Sequence, residues 1–469
     1  MSPELVGLGF VVLAVFIVIG KWVRVYTPLL QNIFLPSSII AGLIALLVGP
    51  EVLGRLISIF TEEGFFLNQG FLTDDILSVW STLPGLFINI VFACLFLGKD
   101  LPSLKKVWDI GGPQVAMGQM VSWGQYVVGL LLVLLLLTPL YGVNPLAGTL
   151  IEISFVGGHG TAAGLGNTFE ELGFAEGYDM AIGLATIGIL SGVLIGIILI
   201  NWGARTGRAK ELGRDGKVSV DGQHGIIDFD ERDSGADITT RPESIEPLSI
   251  HLAYIGVAVG IGILLLEGLI ILESVTWGPL TDTYLMIYVP LFPLAMAGGI
   301  IVQGFSQRYD KFKIIDRKLI NRVGGLSLDI LIVAAIGTIS LQVIGDNIVA
   351  FVSLALAGLI WNVFAFLVLA PKMIPSYWFE RGIGDFGQAT GITATGLLLM
   401  KVVDPENRTP ALEGFGYKQI LFEPLVGGGL FTAAAMPLVA QFGPVSILIF
   451  AFIVTIFWLI LGLFYFGKK

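Results

Sequence analysis

Of 469 residues, 55% are hydrophobic and 13% charged, and the mean hydropathy is +0.86, more apolar surface than a core in water can hide. An all-α polytopic membrane protein is therefore predicted, because helices satisfy their own backbone polar groups in lipid. The formal net charge of -10 argues against a nucleic-acid partner, and one cysteine (Cys94) with three histidines excludes internal disulfides and argues against Cys- or His-rich metal clusters.

In chain order, apolar runs predict helices near 4–22, 34–50, 76–98, 114–138 and 179–202, which form a first half spanning 1–202. The first run follows no basic segment and precedes Lys21 and Arg24, so it reads as a retained helix. Residues 203–249 are polar and rich in Gly, Asp and Arg, and read as a solvated linker. A second half, 250–439, carries helices near 250–272, 283–303, 325–344, 347–370 and 417–439, and an extra helix near 443–466 falls in a final segment, 440–469. Two stretches, 145–172 and 377–402, can enter a membrane but are too Gly-rich and polar to face lipid, and both are expected to be re-entrant hairpins.

Basic residues test this arrangement through the positive-inside rule. With both hairpins returning to the side they enter from, 25 of the 26 lysines and arginines fall on one face, including the cluster from Arg308 to Arg322, Arg381 and Lys418; Arg55 is the exception. That face is assigned to the cytoplasm, so a multi-pass protein of the inner (plasma) membrane is expected, N-terminus outside and C-terminus inside. Five spans per half is an odd number, so the halves are inverted, with a hairpin entering from each side. Inverted repeats of this kind place small-residue backbone at the bilayer midplane, where substrate and ion bind.

The hairpins share Gly-x-Ala-x-Gly, as Gly160 to Gly164 and Gly387 to Gly391, between the fourth and fifth helices of each half. Close helix packing alone explains many such patterns; the duplicated position, the hydroxyls and the nearby charges Glu152, Arg381 and Asp385 favour a site. Candidate substrate-binding residues are Ser154, Gly157, Gly158, His159, Gly160 and Thr161 in the first hairpin, and Gly387, Gln388, Thr390, Gly391 and Thr393 in the second. Glycines allow close backbone approach, and helix N-termini with hydroxyls suit a carboxylate. His159 fits either a site role or a cap on a glycine turn. Asp385, Gly384 and Thr395 are candidate ligands for a hard cation, as is Asp329, which also fits an interfacial position. Glu267 reads as interfacial, and Glu423 fits packing or function.

With these residues in view, the chain resembles the sodium:glutamate symporter family, which is similar in architecture to the 2-hydroxycarboxylate transporters. Ser154 to Ala162, containing Gly-Gly-His-Gly-Thr, carries the resemblance, continued by 169–173 and 181–196; Leu35-Pro36, Ala41-Gly42 and Pro424 to Gly427 add to it. The resemblance implies two inverted halves of five helices, substrate at the re-entrant loops, Na+-coupled uptake of glutamate by alternating access, a homodimer with scaffold and transport domains, and no cofactor beyond Na+ as coupling ion. The second loop departs from the family pattern: Asp385 precedes Phe386, Ala389 replaces a glycine, and Ile392 stands where proline is expected. A proton-coupled or citrate-like organic anion carrier, with His159 and Asp385 as proton-linked groups, is the alternative within transport, and an ion channel is the alternative outside it. No nucleophile triad or carboxylate pair supports an enzyme.

Overall fold

The computed structural model describes the chain apart from residues 1, 33–34, 62–67, 100–102, 212–225, 228–231, 233, 277, 282–285, 287–288, 405–407 and 468–469. Much of the expected 203–249 linker, the start of the expected 283–303 helix, and Glu62, Glu63, Lys468 and Lys469 lie outside the described residues.

Among the described residues the structure is helical, without strands. The principal helices of the first half are α1 (Pro3–Tyr26), α2 (Ser37–Ser58), α3 (Asp74–Cys94), α4 (Val107–Tyr141), the short α5 (Leu150–Phe155) and α6 (Gly158–Gly164), and α7 (Glu176–Arg205). There follow α8 (Pro247–Val275), α9 (Phe292–Tyr309), α10 (Arg317–Gly337), α11 (Ile348–Met373), α12 (Trp378–Val403), α13 (Ala411–Phe422), α14 (Leu430–Phe442) and α15 (Pro444–Phe466). Ten of these, all but α5, α6, α9, α13 and α14, are long and apolar enough to cross a membrane.

Two compact units form. One comprises residues 1–101, 163–166 and 221–343, the other 102–162, 167–220 and 344–469. In the first unit, Leu13, Ala41, Trp80 and Val333 of α1, α2, α3 and α10 share a core, and the Trp80 indole donates to the Gly9 carbonyl at 3.0 Å. In the second, Trp123 and Tyr126 of α4 pack on Phe422, Phe431 and Ala451.

Two expected elements differ. The helix expected over 283–303 is described as helical from Phe292, where Pro293 in the first turn suits an N-terminus. The helix expected over 417–439 is two helices. Pro424 and the left-handed glycines Gly427 (φ +74°) and Gly428 (φ +94°) break it between α13 and α14.

Candidate functional site

The site is built in the second unit from α4, α5, α6, α7, α11, α12 and α13. Its central feature is the interruption of α12 at Gly391 (φ -150°, ψ 43°) and Ile392 (φ 69°, ψ 169°). There the chain reverses. A Cβ on Gly384 would come within 2.5 Å of Met400 Sδ, and one on Gly387 within 2.8 Å of Gly396 Cα, contacts impossible in a straight helix at these separations. The glycines at 384, 387 and 396 thus let the two halves lie against each other with almost no side chain between them.

At the break, the Ala389 carbonyl accepts from Gln125 Nε2 and Asn362 Nδ2, each at 2.7 Å, and Gln125 also donates to Asn362 Oδ1 at 3.0 Å. Thr390 donates its hydroxyl to Phe386 O (2.8 Å) and accepts from Asn362 (3.2 Å). Beyond Ile392 a new helical half begins at Thr393, and its first-turn N–H groups lack partners within that half. The Thr395 hydroxyl donates to Gly391 O at 2.5 Å, and that of Thr393 to Glu423 Oε1 at 3.3 Å.

The first glycine turn meets this break. After α5 the chain turns at Gly158 (φ +72°), where any added Cβ would collide with Ile392 Cγ2. Thr161 donates to Gly157 O at 3.0 Å. Thr186 of α7 donates to Ile182 O (3.0 Å), so its oxygen is the acceptor in the 2.9 Å contact with His159 Nε2. His159 then carries its proton on Nε2 if neutral and keeps Nδ1 as an acceptor. His159 Nδ1, Ser154 Oγ, Ser122 Oγ and Gln125 Oε1 are buried and make no hydrogen bond among the described residues. Such atoms are costly unless something polar meets them.

The polar network extends into α13. Gln388 donates to Thr393 Oγ1 and Gln419 Oε1, both at 3.0 Å, and its own oxygen accepts from Lys418 Nζ at 2.7 Å. Asp385 Oδ1 accepts from Lys418 Nζ at 2.8 Å, with both side chains 1% exposed. Arg381 donates to Gln114 Oε1 (3.0 Å) and Ile110 O (2.8 Å).

The structure thus gathers Ser154, Gly157, Gly158, His159, Gly160, Thr161, Gly384, Asp385, Gly387, Gln388, Thr390, Gly391, Thr393 and Thr395 into one unit. Asp329 belongs to the other unit, on α10, where Ser38 hydrogen-bonds its carboxylate. Arg381 and Lys418, counted by sequence among the basic residues of the cytoplasmic face, are buried inside the unit.

Sequence reasoning missed Thr186, Asn362, Lys418 and Gln419, and it missed the polar face of α4. Gln114, Gly118, Ser122 and Gln125 recur at helical spacing within an otherwise apolar run, a readable sign of a face turned toward protein.

No curated protein matches the chain. A family model described as sodium/glutamate symporter matches residues 6–404, which takes in both glycine turns and the break in α12, and the chain belongs to that family.

Proposed function

We propose that this chain imports glutamate together with Na+ by alternating access, with the hairpin-bearing unit moving in an elevator-type cycle. The observation that carries the reading is the folded, interrupted α12 seated against the first glycine turn. Interrupted helices supply unpaired N–H groups to a carboxylate and unpaired carbonyls to a cation within lipid.

In this reading the substrate carboxylates are held by the N–H groups opening the second half of α12, with the hydroxyls of Ser154 and Thr393. The substrate ammonium is met by His159 Nδ1. Gly157, Gly158, Gly160, Gly387 and Gly391 allow the approach, while Thr161, Gln388 and Thr390 fix the surrounding backbone. Thr395, the backbone at Gly384 and Asp385 are the candidate oxygen ligands for Na+ in this unit, and Asp329 is a separate candidate in the other. Residues 145–172 and 377–402 are re-entrant from opposite sides, the halves 1–202 and 250–439 are inverted repeats, the N-terminus is outside, and the protein works as a homodimer in the inner membrane.

Purified protein in liposomes, given labelled glutamate, tests this. Accumulation is expected with an inward Na+ gradient and not with equimolar K+. Uptake indifferent to Na+ would overturn the coupling, and accumulation of another carboxylate in preference to glutamate would overturn the substrate.

A further inference from the structure

We infer that Lys418 is a built-in counter-cation: its ammonium, held on Asp385 Oδ1 and Gln388 Oε1, takes the cation position of the second hairpin, so that Na+ is not loaded at Asp385. The inference rests on the Na+-coupled reading above and narrows it, since Asp385 is the hairpin carboxylate that Lys418 holds, while Glu380, the other one, accepts from the Lys210 and Glu211 N–H groups.

Fully buried lysines are rare unless paired, and this one has a complete set of partners. Two oxygens lie at 2.8 and 2.7 Å, and the rings of Phe422 and Phe415 lie with centroids 4.5 and 5.2 Å from Nζ. A carboxylate and an amide carbonyl are oxygen ligands of the kind hard cations take. The route to them is also shaped for the side chain. Gly118 of α4 faces the end of Lys418, and a Cβ there would come within 2.7 Å of Nζ, so the helix face is open where the stem passes.

Charge balance points the same way. Around Asp385 stand Arg381, one turn earlier on α12, and Lys418, while Glu423 interacts electrostatically with Lys418 from the end of α13. These two basic and two acidic side chains balance formally with no added ion, and the nearby buried Glu380 is engaged separately, by the Lys210 and Glu211 N–H groups. A free cation at Asp385 would be an uncompensated charge in a site screened from water. Because the ammonium is tethered, it crosses with the hairpin on both the loaded and the empty legs of a cycle and adds nothing to net coupling. The Na+ ions that drive transport must then bind at other ligands.

Removing the tether should let Na+ in. The test is the thermal stability of detergent-purified protein as Na+ replaces K+ at constant ionic strength, since a ligand that binds only the folded state raises the melting temperature with its concentration. Lys418→Ala is expected to be less stable than wild type in K+ and to gain a Na+-dependent rise in melting temperature larger than that of wild type. The extra rise should vanish in Asp385→Asn/Lys418→Ala, which removes both charges. In liposomes, Lys418→Ala should carry one more Na+ per glutamate, as the ratio of labelled fluxes. Lys418→Gln, with a side chain of similar reach, is the second background should the alanine variant fail to fold.

Equal Na+ dependence in wild type and in the single variants would overturn the inference, as would the same extra dependence in the double variant. Na+-driven uptake by the wild type, on the same preparation, reports on the symport reading separately. Its absence would sink that reading, while the melting comparison still decides whether Asp385 accepts Na+ once Lys418 is gone.

Discussion

At the scale of single residues, Glu152 is a buried carboxylate with both oxygens engaged. It is 0% exposed on α5, where Oε1 accepts from the Gly427 N–H (2.8 Å) and the Thr432 hydroxyl (3.0 Å), and Oε2 accepts from the Tyr126 hydroxyl. One side chain thus ties the first hairpin to α4 and to the glycine break before α14. Glu152→Ala strands the buried hydroxyls of Tyr126 and Thr432, each costing about 1–3 kcal/mol when left unmade, together with the part-buried Gly427 N–H, and should lower the melting temperature sharply. Glu152→Gln can keep its oxygen on Gly427 and turn its NH2 toward the Tyr126 oxygen, so its loss is expected to stay near that of one bond. Equal losses in the two variants, by thermal unfolding, would show that the network is not what holds the turn. Sequence alone gave Glu152 only as a charge beside a glycine loop, because two of its partners come from far along the chain. Lys418 was misplaced for the same reason: a count of basic residues has no access to a carboxylate 33 positions earlier.

At the scale of elements, the break in α12 determines what the second hairpin can present. Ile392 sits at φ 69°, where a β-branched residue is strained and where proline, fixed near about -65°, cannot stand at all. The proline expected here from the family pattern is therefore incompatible with this backbone, and Ile392→Pro should abolish transport and lower stability. The partner contact can be measured by a double-mutant cycle of Gly158→Ala and Ile392→Ala. Contacting residues usually couple by roughly 0.5–3 kcal/mol, and here the double variant should be less destabilised than the sum of the singles because the collision with Ile392 is relieved. Additive losses would mean that the turn and the break do not press on one another. Glycine density made both hairpins legible as special segments, and Pro424 with the glycines after it could have exposed the interruption between α13 and α14. Hydropathy averaged across that stretch hid it, since the flanks are apolar on both sides.

For the whole molecule, orientation and energetics constrain each other. Arg381 and Lys418 drop out of the positive-inside argument because they are buried in protein. The cluster from Arg308 to Arg322 remains outside that core, with Arg308, Lys318 and Arg322 exposed, and continues to favour a cytoplasmic position for that loop. Glutamate at neutral pH carries one net negative charge, so import with one Na+ moves no net charge and gains nothing from an inside-negative potential. A second Na+ adds one charge, worth about 2.3 kcal/mol per 100 mV, or roughly 50-fold in accumulation at about 1.36 kcal/mol per factor of ten. A tethered ammonium adds none, because it returns with the empty carrier. Wild-type liposomes clamped inside-negative by a K+ diffusion potential are therefore expected to accumulate more glutamate than unclamped ones at the same Na+ gradient, and at least two Na+ should enter per substrate. If the potential changes nothing, one Na+ accompanies each glutamate. In that case the extra ion admitted by Lys418→Ala should turn an electroneutral carrier into a voltage-driven one.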